Sequence, residues 1–217
     1  MRFGRKRSSD QGDAADSAAG RDVEELGPGP HDASVVRDDD GVTRIDLGGL
    51  LVVPRDGVEL RLQADQATGA VSSVLLAAGQ AALELRPFAA PKSGGLWDEV
   101  RREIAAEATR QGGTATETDG IHGSELRLQV PARTPDGRNA LQISRIVGVE
   151  GPRWFLRGTF LGLAATESDP EGPLEQAFRE VVVVRGRLAM APREALPLRL
   201  PPDVRTPAPE PEDEPPT

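Results

Sequence analysis

The sequence predicts an α+β fold, in which an antiparallel sheet of roughly seven or eight strands is covered on one face by two helices. The first observation is period-two alternation, seen most clearly where Val58, Leu60 and Leu62 alternate with polar residues. The second is the recurrence of apolar residues at helical spacing in two segments, near residues 96–108 and 174–181. Tight turns separate the strand-like segments, which favours antiparallel neighbours.

Most of the negative charge lies at the two ends of the chain. Residues 1–41 hold ten acidic and six basic side chains, and residues 201–217 hold five acidic side chains, one basic side chain and seven prolines. Subtracting both ends from the net charge of -9 leaves -1 for the remainder. We expect a disordered N-terminal arm (1–40), a single α+β domain (41–200) and a disordered Pro/acidic tail (201–217).

Composition excludes several classes of protein. The chain has no cysteine, which rules out disulfides and thiolate metal sites. The basic start MRFGRKR is followed by polar residues, which argues against a signal peptide, and no apolar run is long enough to span a membrane. We therefore expect a cytoplasmic protein. His31 and His122 lack metal-ligand spacing, so we expect neither a metal nor a cofactor.

The strand predictions cover most of the proposed domain. An antiparallel meander is predicted before the first helix and a second group of strands after it, at 42–47, 50–54, 58–63, 71–77, 82–88, 114–118, 126–130, 141–149 and 153–161. In the last of these, Trp154, Leu156 and Phe160 share one face. Gly158 lies between them and has no side chain, which indicates that a helix or an aromatic ring packs closely there.

The clearest helix follows the loop at residues 91–95. Leu96, Val100 and Ile104 recur at four-residue steps, and Gly112 and Gly113 can end the helix in the left-handed conformation. Ser93 is a candidate N-cap. We expect the apolar side of this helix to pack on Trp154, Leu156 and Phe160, each large side chain contributing roughly 1.5–3 kcal/mol on burial.

Leu174, Ala177, Phe178 and Val181 predict the second helix. Residues 182–184 could end that helix or begin a strand. Residues 188–200 contain Pro192 and Pro197, which favours an extended segment that wraps around the domain.

Several segments resemble a known family. Five segments look like the markers of the actinobacterial domain-of-unknown-function family thirty-seven-ten. They are PKSGGLWDEV at 91–100, GVEGPRWFLRG at 148–158, the opening MRFGRKR, GPHDAS at 29–34 and DGVTRIDLGGL at 40–50. The resemblance covers about residues 25–201 and brings no known activity, ligand or catalytic residue. The order of strands and helices is more loosely similar to PsbP-like folds, which serve binding more often than catalysis.

Two groups of residues are candidate ligand sites. The loop Ser93-Gly94-Gly95, with Lys92 beside it, could present amide groups to an anion at a helix N-terminus, although such a loop more often only caps the helix. Trp97 is more typical of a core residue or a pocket wall than of a cofactor contact. Arg153 and Arg157 are predicted to share a strand face with Phe155, where they could bind a phosphate or simply form a solvated basic face.

No catalytic residue is predicted. A Ser-His-Asp triad could in principle use His122 with Asp119, but no nucleophile elbow is present. Asp98 and Glu99 are better explained by the positive end of the helix dipole.

We therefore expect a non-enzymatic binding or protein-interaction module with an unidentified protein partner. One alternative is an anion-binding or small-molecule-binding protein, possibly an enzyme, that uses Lys92, residues 93–95 and Arg153 or Arg157. The other is a nucleic-acid accessory protein that acts through Arg2, Arg5, Lys6 and Arg7.

Overall fold

The structure is a computed structural model that describes residues 28–37, 39–65, 68–134 and 136–201. Its elements, in chain order, are β1 (His31–Asp32), β2 (Ile45–Asp46), β3 (Leu50–Val52), β4 (Glu59–Ala64), β5 (Val71–Ala78), β6 (Ala81–Ala89), α1 (Leu96–Arg110), β7 (Thr114–Gly120), β8 (Gly123–Arg133), β9 (Asn139–Gly151), β10 (Trp154–Gly162), α2 (Leu163–Thr166), α3 (Pro173–Glu180) and β11 (Val182–Val183). No helix among these residues is long and apolar enough to cross a membrane.

A seven-stranded antiparallel sheet forms the centre of the fold. Its strand order is β4-β5-β6-β10-β9-β8-β7, so the two predicted groups of strands meet where β6 pairs with β10. In this register Phe155 lies opposite Phe88 and Glu150, while Arg157 lies opposite Arg86 and Gly148. The mostly-sheet α+β architecture is therefore confirmed.

The helices lie on opposite faces of this sheet, so the expectation that two helices cover one face is not confirmed. Helix α1 packs with Phe155, Leu126 and Ile146. Helix α3 packs with Trp154, Leu156 and Phe160 on the other face. The predicted packing of α1 on the Trp154 face is wrong because both faces of β10 are buried, and α1 covers the odd-numbered one.

The predicted close approach at Gly158 is confirmed, and Phe178 of α3 makes it. A Cβ atom on Gly158 would lie 2.6 Å from Cε2 of Phe178, a distance too short for a normal van der Waals contact. The missing side chain therefore lets α3 settle against the centre of the sheet.

A smaller sheet, with strand order β1-β11-β3-β2, lies beside α3. Val182 and Val183 form β11, which answers the question that the sequence left open. Strand β1 falls within residues 1–40, the predicted N-terminal arm. Asp32 of β1 accepts a hydrogen bond from the indole Nε1 of Trp154 at 2.6 Å, which ties this segment to the core.

The segment after β11 runs extended along the sheet, as its prolines predict. The Ala89 amide donates to the Glu194 carbonyl at 2.8 Å, and the Leu196 amide donates to the Pro87 carbonyl at 3.0 Å. This segment thus continues the sheet beside the end of β6, where β5 no longer pairs. Leu196 and Leu198 are buried as a result.

Candidate functional site

The N-terminus of α1 is already occupied by a carboxylate of the chain itself. The N-cap is Gly95, which makes no side-chain cap, so the prediction that Ser93 caps the helix is wrong. Instead Oε1 of Glu150 accepts a hydrogen bond from the Trp97 amide at 2.7 Å. An anion bound at this position would compete with the Glu150 carboxylate.

The structure leaves residues 92–95 exposed and places Arg153 outside the strand that carries Arg157. Lys92, Ser93, Gly94 and Gly95 are all exposed. Arg153 precedes β10 and lies in the turn after β9 with a φ of 64°, so it does not share a strand face with Arg157. Its carbonyl oxygen accepts hydrogen bonds from the Ala90 amide and from Nε of Arg185.

Trp97 is buried between α1 and the sheet. Its ring stacks on Phe155 with centroids 5.8 Å apart, and Phe155 stacks on Phe88 at 5.9 Å. Its indole Nε1 donates to the Ser124 carbonyl at 2.8 Å. The ring lies directly over Gly148, where a Cβ atom would clash with it. Trp97 is 7% exposed and packs in the core with Phe155 and Leu126.

Arg157 lies beside this aromatic stack. Gly148, under the Trp97 ring, is its cross-strand partner on one side, and Arg86 is its partner on the other. The Arg157 guanidinium carbon lies 5.7 Å from the centroid of the Phe88 ring. Two arginines therefore stand directly opposite each other on one sheet face, next to an aromatic ring.

This arginine pair is short of hydrogen-bond acceptors. Nε of Arg157 is buried and has no partner in the described part of the chain. Nε of Arg86 makes only a long bond, 3.4 Å, to the Ser72 carbonyl. Burial and the charge of Arg86 lower the pKa of Arg157, and the nearby charge of Glu84 only partly opposes this. Like charges at directly opposite positions of a sheet are destabilising.

A second polar cluster lies buried on the other face of the sheet. The guanidinium of Arg145, which is 1% exposed, is hydrogen-bonded to the carboxylates of Glu125 and Glu175. It also lies 3.9 Å from the centroid of the Phe160 ring. His122 Nε2 lies 3.1 Å from Oε2 of Glu175, so its carboxylate contact is with Glu175 instead of the Asp119 of the triad hypothesis.

The network around Glu175 makes the free energy of unfolding fall as the pH becomes acidic. Burial opposes ionisation of Glu175, but the hydrogen bond with His122 and the charge of Arg145 together lower the pKa of its carboxyl group. A lowered folded-state pKa means that the stabilisation is present above the unfolded value of about 4.3 and is lost as the pH falls through the folded value.

We therefore expect the difference in unfolding free energy between the native chain and Glu175→Gln to be largest near neutral pH and to shrink below about pH 4. Urea denaturation of both chains over a pH series measures this difference. A difference that stays constant from neutral to acid pH would contradict the assignment. Glu171→Gln, an exposed neighbour outside the network, is the control.

A cavity of about 240 Å³ adjoins the network, between α2, α3 and the ends of β5 and β6. Arg145 and Glu175 contribute to its lining, together with apolar side chains and the exposed acids Glu167 and Asp169. In the part of the chain that the structure describes, no group of three His, Cys, Asp or Glu residues could hold a metal ion. The side chains of His122 and Arg145 both contact Glu175, and Arg145 also contacts Glu125.

Comparison with known families identifies the chain. The model of one family, described as "Protein of unknown function (DUF3710)", matches residues 29–207. The chain belongs to the DUF3710 family. No curated protein matches it.

Five residues of this DUF3710 protein that form these clusters were not identified from the sequence: Arg86, Arg145, Glu125, Glu150 and Glu175. Alternation does place Arg86 on the face of β6 that carries Phe88, which was a usable signal. Its position opposite Arg157 requires the register of β6 on β10, which no local pattern contains. Arg2, Arg5, Lys6 and Arg7 lie outside the described residues, so nucleic-acid binding through them stays a prediction.

Proposed function

We propose that this DUF3710 protein is a non-enzymatic binding module that holds an anionic group, a phosphate or a carboxylate, between Arg86 and Arg157. The observation that carries the proposal is a pair of opposed guanidinium groups, one of them with a buried and unpartnered Nε. An anion between them would satisfy both groups at once. Arginine suits this role because its planar donors match carboxylate and phosphate oxygens.

Comparison with other partly buried arginines supports this assignment. Nε of Arg55 and Nε of Arg101 also lack a hydrogen bond, but Arg55 pairs with Glu180, and Arg101 pairs with Asp98 and with Glu117. No hydrogen bond or ion pair from the Arg157 side chain occurs within the described residues. A half-buried cation without an anion is costly, because desolvation is not repaid by an ion pair.

The surroundings favour a small or terminal anionic group. Phe88 supplies an aromatic surface on one side of Arg157, and Trp97 lies over the neighbouring Gly148. Among the described residues, Glu84 is the acid whose charge acts on Arg157, and it would disfavour an anion with several charges. The site therefore differs from the one predicted around Lys92 and Arg153, and it keeps only Arg157, with Trp97 as part of its wall.

The test is thermal unfolding of the full chain in sodium phosphate and in sodium acetate, each against sodium chloride of equal ionic strength. We expect one or both anions to raise the midpoint temperature more than chloride does, because a ligand of the folded state stabilises it by mass action. Arg157→Gln and Arg86→Gln should abolish this increase. Arg61→Gln, on the exposed strand β4 and paired with Glu59, should leave it unchanged.

The same variants separate a ligand site from a structural role. Without added anion, Arg157→Gln should unfold at the same temperature as the native chain or higher, because it removes a desolvated charge and the repulsion from Arg86. Equal midpoints in phosphate, acetate and chloride would refute anion binding. A loss of stability in Arg157→Gln without any added anion would instead assign the pair a structural role.

A further inference from the structure

We propose that the cavity between α2 and α3 is a docking site for the N-terminal segment of this same chain, residues 2–7. In this arrangement the Phe3 ring occupies the cavity, and the flanking basic side chains lie against its acidic rim. The inference is independent of the anion site, which lies on the opposite face of the sheet.

The cavity has the size and surface for an aromatic side chain. Its volume is about 240 Å³, and its apolar lining is made by Ala78, Ala81, Phe160, Leu163, Pro173 and Leu174. Leu163 is 48% exposed, so the cavity opens to solvent beside a large apolar side chain. An apolar cavity of about 150 Å³ accepts benzene, so a phenyl ring fits this one.

The rim of the cavity is acidic. Glu167 and Asp169 line it, and neither forms an ion pair with any described residue. The surrounding segment, residues 161–176, has four acidic side chains and no basic one. Arg145 at the floor is compensated by Glu125 and Glu175.

Two other cations lie nearby, Arg127 and Arg179, and neither forms an ion pair with Glu167 or Asp169. Arg127 donates to the Ala165 carbonyl and Arg179 to the Pro170 carbonyl, so both guanidinium groups are held by backbone oxygens. The mouth of the cavity therefore favours an apolar side chain that is flanked by positive charge.

Only one segment outside the described residues has that composition. Arg2, Arg5, Lys6 and Arg7 surround Phe3 in MRFGRKR. The C-terminal residues 202–217 hold five acids and one arginine, and the apolar pair Val23 and Leu26 flanks Glu24 and Glu25. Both of these segments would be repelled by Glu167 and Asp169.

The arm starts close enough to reach the cavity. The described chain begins beside the last turn of α3, where Gly29 lies against the Arg179 carbonyl and the His31 amide donates to the Val181 carbonyl at 2.8 Å. The cavity lies at the first turn of α3, eight residues away along the helix, or about 12 Å. Residues 8–27 can span up to about 70 Å when extended, so the connection is easily long enough.

Tethering makes even a weak contact significant. A short linker gives a docking segment an effective concentration on the order of millimolar, so one ring and a few screened charges suffice for substantial occupancy. The docked arm would cover Leu163 and block the cavity to other ligands. A basic, aromatic segment of another protein would have to displace it.

The experiment uses the full chain, which has no cysteine, so that Ser8→Cys provides a single attachment site for a nitroxide. In ¹⁵N-labelled protein, we expect amide signals of residues 163–175 to lose intensity in the oxidised nitroxide state. Phe3→Ala should restore these signals, while Phe3→Leu should keep part of the loss. Glu167→Lys with Asp169→Lys should also restore them, and Glu103→Lys, on the opposite face of the sheet, should not.

Two results would overturn the proposal. One is signal loss at residues 163–175 that is the same in the chain with Phe3 and in the Phe3→Ala variant. The other comes from mixing ¹⁵N chains without nitroxide with unlabelled chains that carry it. Equal signal loss in that mixture would mean that the arm docks on a second copy and not on its own cavity.

Discussion

Replacing Glu175 by alanine is expected to lower the free energy of unfolding by about 3–5 kcal/mol, as is typical when one partner of a buried ion pair is removed. Arg145 is buried to 1% exposure and would keep only Glu125 as a carboxylate partner. His122 would lose the carboxylate that lies 3.1 Å from its Nε2. The cost comes mainly from leaving charge and donors buried without acceptors.

Urea denaturation of the native chain and of Glu175→Ala measures this loss. Glu171→Ala is the matched control because Glu171 is an exposed acid of the same segment, and we expect a change within about 0.5 kcal/mol. Similar values for the two variants would show that the network does not hold as described. Arg145→Met combined with Glu125→Gln and Glu175→Gln should recover much of the loss, because no unpaired charge then remains.

The strands and α1 were predictable because their patterns are local. Leu60 and Leu62 alternate with exposed residues in β4, and Leu96, Val100 and Ile104 mark one side of α1. These signals do not identify the surface on which the helix packs. Phe155 and Leu156 are both buried, because β10 is central and covered on both faces. Alternation therefore could not tell which face receives α1.

The polar contacts were less predictable, since each joins residues that are distant in sequence. From its local sequence, Arg145 would be predicted as a solvated strand residue. The strand register brings Glu125 near it, and α3 supplies Glu175. Glu150 lies near the end of β9, yet it serves the N-terminus of a helix more than fifty residues earlier. Asp32 likewise gains its role only through Trp154.

Replacing Phe178 by alanine is expected to cost about 3–5 kcal/mol, the usual range for removing a fully buried aromatic side chain. Its ring is 0% exposed and meets Phe160 edge-on at 5.9 Å and His122 edge-on at 4.7 Å. It also fills the space over Gly158 at the centre of the sheet. Urea denaturation measures the loss, with Leu188→Ala, at a 74% exposed position, as the control.

A double-mutant cycle with Gly158→Ala tests whether this specific contact is the cause. In the native chain the added methyl group would lie 2.6 Å from the Phe178 ring, so we expect a loss of about 1–3 kcal/mol from overpacking. In the Phe178→Ala chain that ring is absent, and Gly158→Ala should cost less, limited by Val147 at 3.1 Å. The two changes should therefore be non-additive, as expected for residues in contact. Strict additivity would mean that Phe178 does not pack on Gly158, and that the position of α3 on this face is set by other contacts.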